Sequence, residues 1–214
     1  MIITAVERIA RRRGRVEVRV DGVSSFDIAR DTAVARDLKP GRAIDRGEID
    51  AMIAADRRRV ALDAAVAMLA RRPHSEREVR QRLARRACEP ALIDETVAKL
   101  RAARLLDDAE YARAFTEARD RFSPRGQRLI ARELRANGVA IELAQAAASE
   151  VSDEDAAYRV ASKRLRPLAA LDYQAFRNRL GAFLQRRGFG WDTCRATVDR
   201  CWRDLHDAAP DEEP

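Results

Sequence analysis

The sequence predicts a mainly α-helical chain, a tandem repeat of three three-helix modules in an elongated body, preceded by a small β-hairpin-containing head. Three observations carry this. RRACEPALIDETVAKL (85–100), ANGVAIELAQAAASEV (136–151) and RRGFGWDTCRATVDRC (186–201) superpose without gaps, about 50 residues apart. From about residue 57 onward Ala, Leu, Arg and Glu dominate and turn signals are short. Before that, RVEVRVDGVSSFDI alternates apolar and polar residues, as a half-buried strand does.

The head comes first. Val16, Val18 and Val20 alternate with Arg15, Glu17 and Arg19, and Asp21-Gly22 then supplies a tight hairpin turn, with Phe26 and Ile28 on the return strand. Pro40-Gly41 breaks the chain. Asp45 and Glu48 have capping-box spacing and open a helix through Ile49, Met52 and Ile53. So small a head cannot hold a large core, and is expected to pack on the helices next to it in the chain.

In the repeats, Ala87, Gly138 and Gly188 share one column and Cys88, Val139 and Phe189 the next. A glycine just past a helix, followed by an apolar residue, is a helix stop with its hydrophobic contact. Ala87 is the imperfect member. Upstream, Val79, Ile130 and Leu180 align, followed by Leu83, Leu134 and Leu184; downstream come Val97, Ala148 and Val198, then Leu100, Val151 and Cys201. Ser75 with Glu78, and Asp107 with Glu110, mark helix starts. The neighbouring acids Asp107 and Asp108 read as helix capping rather than metal binding. The expected divisions are a head with a linking helix (1–56), repeats at 57–106, 107–152 and 153–206, and a disordered acidic tail (207–214).

Composition narrows the function. The chain has 214 residues, with 42 Lys+Arg against 35 Asp+Glu, a net charge of +7. Nearly all of the positive charge is arginine, which suits phosphate or carboxylate on a partner. Three scattered cysteines make no disulfide framework, no apolar run is long enough to span a bilayer, and the N-terminus does not read as a secretory signal. A cytoplasmic monomer is expected.

Among the outward faces of the matching repeat helices, that charge is strongest in SPRGQRLIARELRANGV (123–139). With Ile130 and Leu134 facing inward, Arg128, Arg132 and Arg135 point the opposite way, and Arg125 joins them one turn earlier. The matching helices present Arg77, Gln81 and Arg85 in repeat one, and Asn178, Ala182 and Arg186 in repeat three. Candidate partner-binding residues are therefore Arg77, Arg85, Arg125, Arg128, Arg132 and Arg135. The competing reading is a merely solvated face, although clustered like charges repel and mixed signs would solubilise a helix more stably. Phe122 is the only aromatic beside the stripe, so no stacking platform is expected, and any DNA contact should be sequence-independent.

Catalysis finds little support. His74 and His206 lie in different modules without zinc-ligand spacing, Cys88, Cys194 and Cys201 fall in apolar columns, and no phosphate loop is present. No enzyme, cofactor, metal site or small-molecule substrate is expected. A helix-turn-helix transcription regulator would also carry short Arg-rich helices, but three similar modules without a dimerisation heptad argue against it.

RVEVRVDG, HSEREVRQRL (74–83), LLDDAEYARAF (105–115) and SPRGQRLIARELRANGV, in this order and at nearly this spacing, resemble the RecX regulatory proteins over residues 1 to about 205. The two middle segments are the specific part. Two departures are Ala87, where that family usually has glycine, and a looser loop at Arg166-Pro167-Leu168. The resemblance implies a non-enzymatic modulator of the RecA recombinase filament, expected to inhibit its recombinase, ATPase and coprotease activities in DNA repair. Whether the stripe meets DNA phosphates, single- or double-stranded, or RecA carboxylates stays open. The alternative is a sequence-independent DNA binder or transcription regulator acting without RecA.

Overall fold

The computed structural model describes residues 1–10 and 12–207; the acidic tail expected at 207–214 lies, from 208 on, outside the described residues. Strands β1 (Ile3–Arg8), β2 (Arg15–Val20) and β3 (Ser24–Ala29) form an antiparallel sheet in that order. The expected hairpin is β2–β3. Asp21 (φ 52°) and Gly22 (φ 73°) both take the left-handed conformation, and the Val23 N–H closes the turn on Val20. Strand β1 was not anticipated. It pairs with β2 across an irregularity between Ile3 and Ala5, which breaks the alternation a strand pattern needs.

A short α1 (Arg30–Ala35) leads to α2 (Arg46–Leu69). Asp45 accepts the Glu48 N–H at 2.8 Å, while the Glu48 carboxylate pairs with Arg42 instead of closing the box. Helix α2 is continuous through residue 57, where a module boundary was expected, because nothing between Ala54 and Ala65 breaks a helix. Then come α3 (Glu76–Ala84), α4 (Pro90–Ala102), α5 (Asp108–Phe122), α6 (Gln127–Ala136), α7 (Ile141–Ser149), α8 (Asp153–Ser162), a 3-10 turn at Arg166–Leu168, α9 (Tyr173–Arg186) and α10 (Trp191–Asp207). The 3-10 turn occupies the loop expected to be looser.

The chain divides into two compact units, one of residues 1–68 with 82–99, the other of 69–81 with the chain from 100 onward. In the first, Val16, Val18, Val20 and Ile28 of the sheet bury against Ala33, Leu38, Ile49 and Met52. Asp56, buried in the middle of α2, accepts the Ala29 N–H at 3.1 Å and pairs with Arg15 at 2.7 Å, fastening the sheet to the helix. A buried carboxylate is tolerated when it is both paired and hydrogen-bonded.

The repeat columns are core. Val79, Leu83, Ile130, Leu134, Leu180 and Leu184 are all fully buried, each worth about 1.5–3 kcal/mol. The three stops share one geometry: Ala87 (φ 56°), Gly138 (φ 91°) and Gly188 (φ 85°) are left-handed, and the next residue's N–H reaches back five positions, Cys88 to Leu83, Val139 to Leu134 and Phe189 to Leu184. This is the Schellman closure. Val139 and Phe189 are buried behind it, whereas Cys88 is only half-buried, so of the three cysteines expected in the core it is the partial member.

Candidate polyanion-binding interface

Two repeated junctions hold the second unit's middle helices end to end. Ser75, just before α3, donates its Oγ–H to the Asn137 carbonyl at 2.7 Å, next to the α6 stop. One repeat later, Gly126 just before α6 donates its backbone N–H to the Arg187 carbonyl at 2.9 Å, next to the α9 stop. A Cβ at Gly126 would lie 2.3 Å from the Gly188 carbonyl oxygen, so only glycine permits this approach.

Each following module also caps the one before it. The Asp108 carboxylate accepts the Glu76 N–H of α3 at 2.9 Å, and Asp153 accepts the Gln127 N–H of α6 at 2.8 Å. Asp107 takes the local cap expected of the acidic pair, accepting from Ala109 and Glu110. The Ser75–Glu78 box is complete in both directions, with the His74 Nδ1 3.0 Å from the same Glu78 carboxylate. Burial pushes the Asp108 and Asp153 carboxyls above the ordinary range, against the opposing pull of the N–H donors they accept.

On α6 so positioned, Arg128, Arg132 and Arg135 are exposed and make no ion pair among the described residues. The helical period spreads them over about 60° of arc. Arg128 lies near Asp153, whose carboxyl it draws down against the upward push of burial. The one acid on α6, Glu133, is turned away to Arg119 of α5 at 2.9 Å and to Arg125.

Arg125 therefore stands apart from the stripe it was expected to join. It precedes the helix, its side chain is 29% exposed, and it is committed to Glu133. The structure brings together three of the four clustered arginines. Arg77 is exposed, with its stem against the α6 stop: a Cβ at Gly138 would lie 2.6 Å from the Arg77 Cβ. Arg85 is exposed just past the end of α3, in the first unit. Sequence reasoning missed Asp153, Glu133 and Gly126 as positioning residues. Gly126 alone left a signal, a glycine where repeat one has Ser75.

No helix among the described residues is long and apolar enough to cross a membrane, and they contain no cluster of metal-ligating side chains. The exposed face of α6 presents a row of guanidinium groups, able to meet planar or tetrahedral oxyanions.

Three family models match consecutive stretches: the first three-helix domain of RecX at residues 61–100, the second at 107–147 and the third at 152–198. The chain belongs to the RecX family. The regulatory protein RecX of Prosthecochloris aestuarii is 33% identical over 141 residues, 66% of this chain and 93% of that protein. That of Bacillus subtilis (strain 168) is 27% identical over 201 residues, 92% of this chain and 76% of the relative. A crystal structure of regulatory protein RecX superposes with a TM-score of 0.66 at 21% identity, covering 92% of this chain and 98% of that one. RecX from Lactobacillus salivarius gives 0.63 at 21%, covering 69% and 97%. The chain thus has the RecX fold, a three-stranded sheet followed in sequence by three three-helix domains, and the regulatory role its relatives are named for.

Proposed function

We propose that this RecX protein modulates the RecA nucleoprotein filament without chemistry of its own, inhibiting its recombinase, ATPase and coprotease activities in the cytoplasm. Modules at 57–106, 107–152 and 153–206 serve as the scaffold. Arg128, Arg132 and Arg135 are the principal contact, with Arg77 as an outlying member and Arg125 as a positioning residue that holds Glu133 off the stripe; Arg85, in the other unit, is a separate candidate contact. One observation carries this reading: the only acid of α6 is consumed by Arg119 and Arg125, so the exposed face keeps its full positive charge. A solvated face gains nothing from that arrangement, since like charges at i,i+4 cost about 0.2–0.5 kcal/mol per pair.

The test is the triple variant Arg128→Glu, Arg132→Glu, Arg135→Glu, assayed for inhibition of RecA's DNA-dependent ATPase and strand exchange. The residues are exposed, so circular dichroism should match the parent while inhibition is lost. If phosphate is the partner, the salt dependence of binding to bare DNA also flattens, by roughly 0.9 per lost contact on duplex and 0.7 on single strands. Were RecA carboxylates the partner, inhibition falls and the bare-DNA slope stays put. A folded variant that inhibits like the parent refutes the assignment.

A further inference from the structure

The last module carries a groove that the proposed filament contact does not use. It runs along the seam of α9 and α10, has a volume of about 420 Å³, and is lined by Tyr173, Arg177, Gly181, Trp191, Arg195 and Asp199 among others. Its size falls within the ~300–1,000 Å³ of ordinary ligand sites. Trp191, the first residue of α10, is 70% exposed and its indole stacks on no other ring among the described residues. An indole left so open on a folded chain is unusual, because tryptophan loses much by staying in water.

The rest of the lining says what the indole awaits. Tyr173 is fixed in place: its hydroxyl donates to Asp199 at 2.7 Å, and its ring lies edge-on to Trp202 with centroids 5.3 Å apart. That hydrogen bond occupies one oxygen of the groove's single carboxylate. Arg177 and Arg195 are exposed and have no ion pair among the described residues, yet both lie close enough to Tyr173 to act on its phenol. Gly181 keeps the wall between them low, since a Cβ there would meet nothing within 4 Å. Gapless alignment of the repeats puts Ala131 and Arg80 in the Gly181 column, and Ile141 and Pro90 in the Trp191 column. Module three alone combines an open wall with an aromatic.

We propose that this groove binds the bases of single-stranded nucleic acid, with Trp191 as the stacking surface, Tyr173 as the rigid opposite end, and Arg177 and Arg195 on the adjoining phosphates. A flat aromatic face flanked by two uncommitted guanidinium groups matches a base with a phosphate on either side. An acidic peptide would use the arginines and leave the indole bare. Sequence-level reading found no stacking platform because the two aromatics lie eighteen positions apart on different helices. The site stands independently of the RecA reading.

The experiment needs no RecA. The parent is titrated with oligothymidylate and with an abasic strand of equal length, which has the same phosphates and no bases; fluorescence anisotropy reports affinity, and quenching of intrinsic fluorescence reports stacking. The expected results are quenching by oligothymidylate alone, and a loss of about five- to 150-fold in oligothymidylate affinity for Trp191→Ala, the range for one stacked base. Trp191→Phe should recover most of that loss, and the abasic strand should bind every Trp191 variant equally. By contrast, the triple stripe variant should weaken both strands alike if phosphate is its partner, so the two proposals fail separately. Equal parental affinity for the two strands, or a Trp191→Ala variant with parental oligothymidylate affinity, overturns the proposal. So does quenching by polyglutamate without quenching by oligothymidylate, which would reassign the groove to an acidic protein segment.

Discussion

Changing the residue at one repeat column tests the reading of the helix stops in three environments at once. Ala87, Gly138 and Gly188 all adopt a left-handed conformation, at φ 56°, 91° and 85°. For a residue with a Cβ that conformation costs about 1–2 kcal/mol, while a glycine loses about 0.5–1 kcal/mol more conformational freedom on folding. Ala87→Gly should therefore stabilise by about 0.5–1 kcal/mol. Ala87 is exposed, so no packing is lost. The reverse changes forfeit that difference and add overpacking of about 1–3 kcal/mol. A Cβ at Gly138 lands 2.6 Å from the Arg77 Cβ, and one at Gly188 lands 2.3 Å from the Leu129 Cβ and 3.1 Å from the Leu129 backbone nitrogen. Neither neighbour is the free end of a flexible chain, so Gly138→Ala and Gly188→Ala should cost about 2–4 kcal/mol, Gly188→Ala the more. In a chain of this length that amounts to a Tm rise of about 1–4 °C for Ala87→Gly and a fall of about 4–16 °C for the other two. Urea titration followed by circular dichroism, with the slope m compared between variants, separates a stability change from a change in the unfolded state. A destabilised Ala87→Gly, or a Gly188→Ala that melts with the parent, would show that the column is not a shared left-handed stop and that the aligned repeats do not close alike.

Two further expectations rest on burial. The Asp153 carboxyl is held above its ordinary range in the folded chain, so its contribution to stability is greatest below the unfolded pKa of about 4 and is lost as the pH rises through the folded value. Asp153→Asn keeps an oxygen for the Gln127 N–H, so the variant should gain on the parent as pH increases from about 3 to 7. Parallel Tm profiles would contradict it. Cys194 and Cys201 are buried, and burial pushes the Cys201 thiol up to about 11. A thiol reagent at neutral pH should therefore label only half-buried Cys88 in the native chain and all three cysteines in denaturant; native labelling of Cys201 would place it outside the core.

What the sequence made legible was whatever repeats or acts locally. The buried columns through Val79, Ile130 and Leu180, the Asp21-Gly22 turn and the caps at Asp45, Ser75 and Asp107 each depend on spacing within one element, and spacing is visible in a string of letters. The unread features join distant segments. Asp56 reaches Ala29 across 27 positions, and Asp153 caps a helix that begins 26 positions before it. Strand β1 was hidden for a different reason: its irregular register and small Ala5 erase the period of two. At the candidate site, the outward direction of Arg128, Arg132 and Arg135 followed from periodicity. Arg125 was misplaced because its partner Glu133 is shared with Arg119 of another helix, a competition that periodicity cannot register.

The junctions explain how α6 can carry three outward arginines on one face. Its N-terminus is held by the Asp153 carboxylate and by the Gly126 contact with Arg187, and its C-terminus by Ser75 on Asn137 and by the Arg77 stem on Gly138. Both ends of α6 are thereby satisfied by flanking modules, whereas a helix end without such partners frays. Its inward face buries Ile130 and Leu134 completely. Packing, rather than side-chain pairing on the surface, thus supplies this helix's stability. A helix fastened in that way can carry three like charges at i, i+4 and i+7, whose mutual repulsion is about 0.2–0.5 kcal/mol per close pair, without needing a compensating acid among them. Because the same contacts fix its orientation against α3 and α9, the helix that carries the three arginines is held in one geometry, and little of its backbone freedom is left to lose when an oxyanion binds there.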